Sequence, residues 1–361
     1  MSNTEILKKE IIETFGTPCP VIDLDIVEKN IARSQSLCER EGKANRPHIK
    51  THKSPRLAKM QMMAGAIGVT CQKLGEAEVM FEAGIKDILI ATNILGAAKS
   101  GRLAALQKKV ALKVSADNKV SLESYAYAAN YAGRAIDVLI ECDTGQKRSG
   151  VETVEEAIEL AKVIKDEPML NFTGLLFYPT KRSWADTQSF CSSLIPALKE
   201  IELTPQIIST GGTPNLANIG KLRESTEHRA GTCIFNDRMM IDDGFASLED
   251  CALKIYSSVV SRAGINRGIL DAGSKTLTSD TGNLVGFGLI MEHPDAEIVK
   301  LAEEHGFLNL ESCQKKPDVG TVVRVIPNHA CVCVNMMNEI VAVRDHKIVE
   351  VIKVEARGLL V

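Results

Sequence analysis

The chain has 361 residues, 45% of them hydrophobic and only 4% aromatic, and a formal net charge of −3. This length allows two domains, or one barrel with an appendage, and aliphatic side chains must fill the core. The charge gives no reason to expect nucleic-acid or membrane partners, and no run of 18 apolar residues marks a transmembrane helix.

Residues 1–19 read as a polar helix, unlike a signal peptide, followed by a Thr-Pro-Cys-Pro turn. Ten scattered cysteines without a CxxC pair then point to reduced, buried thiols in a cytoplasmic protein. Pro20–Asp25 is a short strand, with Asp25 placed to cap the next helix. Strand-like stretches follow at Arg46–Lys50, Gly68–Gln72, Asp87–Thr92, Ala111–Ala116, Ala135–Asp143, Phe172–Phe177, Gln206–Thr210 and His228–Phe235. Amphipathic stretches such as Leu57–Ala64, Glu76–Ala83, Val154–Ile164 and Thr187–Ile201 lie between them. Segments such as Val138–Cys142 are apolar over most of their length, as parallel strands buried on both faces must be. Eight such units predict an α/β fold built on a (β/α)8 barrel over residues 26–250. The rival, a doubly wound open sheet, lacks a GxGxxG near the start. After residue 250 the texture becomes β-rich, with Leu253–Ser261, Val322–Ile326, Cys331–Val334, Ile340–Val343 and Lys347–Val354. A second, mainly antiparallel β domain is expected over 251–361, joined by the N-terminal residues 1–25.

Arg46-Pro-His-Ile-Lys-Thr-His-Lys53 is the first stretch that carries chemistry. On a strand, Arg46, His48, Lys50 and His52 share one face. Crowded cations are costly to bury, which depresses a lysine pKa and favours the free amine that forms a Schiff base with a carbonyl cofactor. Lys50 is therefore the candidate, pyridoxal phosphate the simplest cofactor, and a solvated basic edge strand the bland alternative. Lys275, in Asp271-Ala-Gly-Ser-Lys275, is the second candidate amine, unless it sits on a plain turn.

Ser209-Thr-Gly-Gly-Thr-Pro214 follows the seventh strand, where paired glycines let backbone N–H groups and flanking hydroxyls meet a phosphate. Arg229-Ala-Gly-Thr232 is placed to complete that cradle, unless the glycine pair is only a turn. In Asp143-Thr-Gly-Gln-Lys-Arg-Ser-Gly150, Arg148 is suited to a phenolate or carboxylate; an ordinary loop arginine is the alternative. Tyr178, at a strand end, is suited to stacking or proton relay, and equally to packing. His329 and Cys331 are two apart, so one strand face presents an imidazole and a thiolate, a pair that suits zinc. Cys333 on the same face is a possible third ligand, and Glu303 and His305 offer further donors. Buried core thiols beside a structural histidine, and a helix end closed by Gly306, are the competing readings.

Together these stretches resemble the D-threonine aldolase and D-serine dehydratase family, the alanine-racemase-like (fold type III) pyridoxal phosphate enzymes, through most of the chain. Lys50 stands in the lysine position of the family's motif, Asp143–Gly150 is similar to its arginine loop, and Ser209–Pro214 to its phosphate loop. Arg229–Thr232 with Asn236-Asp237, Asp271–Lys275, Glu303–Gly306 and His329-x-Cys331 follow the same pattern. The resemblance implies a homodimer and a divalent metal, zinc or else manganese, beside the cofactor. It assigns catalysis to Lys50, His52 and Tyr178. Cofactor binding falls to Lys50, His48, Gln72, Arg148, Tyr178, Ser209, Thr210, Gly211, Gly212, Thr213, Gly231 and Thr232, and metal binding to His329 and Cys331. Two departures stand out: Gly174-Leu-Leu-Phe-Tyr-Pro-Thr-Lys-Arg-Ser183 lacks the Gly-His segment of these enzymes, and Cys233 replaces an aromatic residue. The expected activity is that of a lyase on a 3-hydroxy-D-amino acid, by retro-aldol cleavage or by elimination. An amino-acid racemase and a non-enzymatic cofactor carrier are the alternatives.

Overall fold

A computed structural model describes residues 2–361, which divide into two units. The barrel unit comprises Ala32–Lys50, Leu57–Gly231 and Leu359–Val361. The β unit comprises the chain up to Ile31, Thr51–Arg56 and Thr232–Gly358.

Strand β1 (Cys19–Asp23) belongs to the β unit; the barrel is built from the next eight. These are β2 (Ala44–Asn45), β3 (Val69–Cys71), β4 (Ile88–Ile90), β5 (Leu112–Ala116), β6 (Ile136–Cys142), β7 (Leu170–Phe177), β8 (Ile207–Gly211) and β9 (Glu227–Arg229). All pair in parallel in the order β2-β9-β8-β7-β6-β5-β4-β3. The two ends meet through an isolated bridge, His48↔Thr70, where Thr70 N–H donates to the Pro47 carbonyl at 2.8 Å. Parallel strands need a crossover, and helices such as Leu74–Glu82, Val154–Asp166 and Trp184–Glu200 supply it. The barrel's main core is the layer where strand residues such as Val114, Val138, Ile140 and Leu175 meet buried helix residues such as Leu103, Leu160 and Leu194. Leu89, Leu139 and Leu176 form a separate small cluster from alternate strand positions.

The β unit holds β1 with β10 (Leu253–Ser261), β11 (Arg267–Leu270), β12 (Leu289–Ile290), β13 (Glu297–Leu301), β14 (Gly306–Asn309), β15 (Val322–Ile326), β16 (Glu339–Arg344) and β17 (Lys347–Lys353). The N-terminal strand is inserted between β10 and β16, antiparallel to the first and parallel to the second. The remaining pairings of this sheet are antiparallel.

Several local expectations are corrected. Extended pairing from Arg46 continues only to His48, whose N–H still reaches the Ala230 carbonyl at 2.9 Å; Ile49–Thr51 is a 3-10 turn. Arg46 therefore does not share a face with Lys50 and His52. It lies inside the barrel, donating to Glu227 at 2.9 Å and pairing also with Asp87, which Lys113 meets at 3.1 Å. Cys331–Val334 is not a strand. Its valines favour extension, but Ala330–Asn335 is a helix because the Asp237 carboxylate accepts the Ala330 N–H at 2.9 Å. Glu303–Gly306 is the β13–β14 turn and not a helix end; Ala302 N–H donates to the His305 carbonyl at 2.8 Å. Asp23, not Asp25, caps the helix Leu24–Arg40, its Oδ1 accepting the Asp25 N–H at 3.0 Å. The units part at Gly231/Thr232, earlier than residue 250. Arg238 and Met239 donate to the Pro327 and Asn328 carbonyls, both at 3.2 Å, and so tie that stretch to the β unit.

Arg46 and Glu227 are both buried, so neither keeps a hydration shell if its partner is lost. Removing one partner of such a pair costs about 3–5 kcal/mol. Glu227→Ala is expected to lose about that much in chemical denaturation; Arg46→Met with Glu227→Met, which removes both charges, should lose much less.

Candidate active site

The loops that leave the C-terminal ends of the parallel strands carry most of the barrel residues singled out by the sequence. That end is where barrel enzymes place their chemistry. Lys50 is half-buried within the 3-10 turn after β2. Its backbone N–H faces His48 Nδ1 at 3.5 Å, while His48 Nε2 lies 3.2 Å from Gln72 Oε1. A backbone N–H only donates, so Nδ1 is the acceptor and Nε2 carries the proton, given to Gln72. The Gln72 amide is oriented by donating to the Ala91 carbonyl at 2.9 Å. Burial first, then the positive charges of Lys50 and Arg229, hold His48 neutral, well below its ordinary pKa.

Asp143 organises the loop after β6 by accepting the N–H groups of Gly145 and Gln146 at 2.7 Å and of Arg148 at 3.0 Å. Arg148 places its guanidinium over the Tyr178 ring, 5.0 Å from the centroid. Tyr178 in turn lies against Gly211 and Gly212. A Cβ on Gly211 would sit 3.2 Å from the tyrosine ring and 3.0 Å from Arg229 Nη2; on Gly212 it would sit 3.1 Å from the ring. Gly212 also has φ +103°, which L side chains rarely adopt. The pair thus keeps a backbone-lined cradle open beside a ring and a guanidinium, a shape and charge that fit a phosphorylated aromatic cofactor. Thr213 opens the 3-10 helix Thr213–Lys221.

The Ser209 and Thr210 hydroxyls, expected to face the cradle, have partners inside the barrel. Ser209 donates to Glu227 at 2.6 Å and accepts from Arg229 at 2.5 Å, and Thr210 Oγ1 lies 2.8 Å from His228 Nδ1. Arg229 and His228 are fully enclosed groups whose functional contacts sequence spacing did not isolate. Arg229 also donates to the Phe177 carbonyl at 3.1 Å, and burial pulls it down to about 10, so it remains cationic at neutral pH.

Both buried histidines have a stability consequence. Burial lowers His228 from 6.5 to about 3. The unfolded chain takes up a proton near 6.5 that the folded chain refuses, so stability is complete above that pH and falls as pH drops toward 3. His228 alone accounts for a loss of about 2 kcal/mol at pH 5, and His48 adds to it. Urea denaturation at pH 7.5 and pH 5 checks this; His228→Gln should flatten the difference.

In the β unit, His329 is the N-cap residue of the helix Ala330–Asn335, and Cys331 lies in its first turn. The helix, and not a strand face, joins the pair through a His329–Cys331 hydrogen bond. His329 Nδ1 is 2.6 Å from Asp280 Oδ2, so Nε2 is the ring nitrogen that a cation would have to use. The Cys331 sulfur has the Thr51 hydroxyl at 3.1 Å and the Thr232 hydroxyl at 3.6 Å. Thr232, assigned above to the cofactor, thus turns its hydroxyl to the thiol. Burial opposes both charged forms, yet mutual attraction raises His329 to about 10 and lowers Cys331. A soft thiolate beside an imidazole fits a zinc-type cation. Cys333 lies two residues further along a helix, on another face, where burial pushes its thiol up. Among the described residues no three His, Cys, Asp or Glu side chains gather as a metal cage. His52 is fully buried, its Nδ1 accepting the Ser54 N–H at 3.1 Å. Lys275 is 63% exposed and donates to Glu304 at 2.7 Å, which raises its pKa, the wrong direction for a nucleophilic amine. All ten cysteines are free thiols, and no helix among the described residues is long and apolar enough to cross a membrane.

A β/α barrel followed by a mainly antiparallel β unit is the architecture of the alanine-racemase-like fold class. Residues 22–239 match the model of the alanine racemase N-terminal domain, and residues 252–343 that of a putative serine dehydratase domain. A D-threonine aldolase from Arthrobacter sp. is 33% identical over 95% of this chain and 93% of its own. The D-threo-3-hydroxyaspartate dehydratase of Delftia sp. (strain HT23) is 31% identical over 90% and 93%; a cysteine-to-alanine variant of it was solved in a metal-free form. The crystal structure of D-threonine aldolase from Filomicrobium marinum superposes with TM-score 0.89 at 30% identity, covering 96% of each chain. The chain belongs to the D-threonine aldolase and D-serine dehydratase family of pyridoxal phosphate-dependent lyases. An alanine racemase from Clostridium difficile 630 shares only the fold, with TM-score 0.70 at 15% identity.

Proposed function

We propose that this chain is a pyridoxal phosphate- and divalent metal-dependent lyase acting on a 3-hydroxy-D-amino acid. The observation that carries the reading is the Gly211–Gly212 cradle against Tyr178 and Arg229, at the barrel end where Lys50 emerges from β2. The barrel unit would hold the cofactor, with Lys50 as its amine, His48, Gln72, Arg148 and Tyr178 around it, and the 209–213 loop with Gly231 at the phosphate. Pyridoxal phosphate, when bound, supplies an electron sink for bonds broken at the substrate's Cα. Lys50 takes or returns the Cα proton, which neutral His48 beside it favours by adding no further positive charge. His52 and Tyr178 are the other candidate catalytic groups. His329 and Cys331 would hold a cation, zinc before manganese, whose chemistry is to acidify a 3-hydroxyl or ease its departure. Asp280 fixes the imidazole for that task, and the Thr51 and Thr232 hydroxyls hold the sulfur.

The reading extends to a cytoplasmic homodimer with a small amino acid as its partner and neither nucleic acid nor membrane; the ten free thiols support the compartment. The test is incubation with D-serine, D-threonine and 3-hydroxy-D-aspartate, measuring aldehyde and keto acid separately, with and without a chelator. Aldehyde or keto acid that disappears on chelation supports the lyase. Racemised amino acid that survives chelation would replace it with the racemase reading.

A further inference from the structure

The glycine that opens the cradle has no side chain to restrain it, so something else must hold its peptide. Gly212 adopts φ +103°, ψ 130°. Its N–H donates to the Arg229 carbonyl at 2.9 Å, and its carbonyl accepts the Asn215 N–H at 3.1 Å. The second donor to that carbonyl is His228 Nε2, at 3.0 Å. A carbonyl only accepts, so Nε2 carries the proton, and Nδ1 accepts from Thr210 Oγ1 at 2.8 Å. The ring is wholly buried and spans from β8 to the loop that leaves it.

We infer that His228 is a positioning residue for the cofactor phosphate: it ties the Gly212 carbonyl to β9 and thereby sets the direction of the Gly212–Thr213 peptide. In a trans peptide the C=O and N–H point in opposite directions, so a carbonyl anchored on His228 aims the Thr213 N–H away from the ring. Thr210 completes the device by fixing the imidazole's tautomer. The inference rests on the reading of the 209–213 loop as the phosphate site.

The test titrates the full chain, freed of cofactor, with pyridoxal 5'-phosphate and with pyridoxal, which lacks the phosphate. His228→Leu is expected to weaken pyridoxal phosphate about tenfold, the effect of one buried hydrogen bond, and to leave pyridoxal nearly unchanged. His228→Gln, whose amide N–H reaches toward the same carbonyl, should restore most of the loss. Equal losses for both compounds, or no loss for either, would overturn the role. If the leucine variant does not fold, His228→Asn, too short to reach Gly212, takes its place. Gly212→Ala separates the two levels of the argument. It strains the loop directly and should reduce the preference for the phosphorylated compound. An unchanged preference in Gly212→Ala sinks the phosphate reading itself; a change there with none at His228 sinks only the inference.

Discussion

Lys50→Ala is expected to abolish turnover, by at least about 10³-fold, and to remove the visible absorbance that a lysine–cofactor linkage gives. The parallel variant Lys275→Ala should keep both. The physical contrast between the two amines is sharp. Lys50 is half-buried in the turn after a barrel strand, with the neutral His48 imidazole beside its backbone. Lys275 is 63% exposed and donates to Glu304 at 2.7 Å, which stabilises its ammonium form. An ammonium has no lone pair to offer a carbonyl. If the absorbance persists in Lys50→Ala and is lost in Lys275→Ala, the assignment moves and the barrel-end reading goes with it.

The second large effect concerns the metal. His329→Ala and Cys331→Ala should each remove bound zinc or manganese, measured by elemental analysis after gel filtration, and remove the lyase activity with it. A cation held as proposed, by these two side chains alone, would leave its other positions to water or substrate, so losing either ligand would leave little to hold it. Asp280→Asn is a subtler probe. Its carboxylate sits 2.6 Å from His329 Nδ1 and would set which nitrogen is offered to the proposed cation. Loss of such a partner costs about 10–100-fold in metal affinity. Metal content unchanged in the His329→Ala, Cys331→Ala double variant would show that the couple is no metal site. The imidazole and thiol would then be only a hydrogen-bonded pair at a helix N-terminus.

Much of the site was legible in order along the chain. The paired glycines and the arginine loop each follow a strand, as their surrounding patterns of apolar residues imply. What misled was local propensity at two points. The Arg46–Lys50 run looked like one strand because each residue tolerates extension, yet the chain turns at Ile49. The Cys331–Val334 run looked extended because of its valines, yet a carboxylate 93 residues away caps it as a helix. Ser209 and Thr210 flank the glycines, a position that suits phosphate donors. Their hydroxyls turn instead to Glu227 and His228, each 18 residues on.

The sequence by itself determined the alternation of eight strand–helix units, the β-rich end and the residue types of the chemistry, because burial on one or both faces leaves a periodic trace over a few neighbours. Only the tertiary structure decided which groups meet. Arg46 finds Glu227 across 181 residues, and His329 finds Asp280 across 49. His228 finds the Gly212 carbonyl because two parallel strands lie side by side. Such pairings are set by strand register and loop path, which no local window of residues encodes, and they fix the proton positions and charges on which the proposed reaction depends.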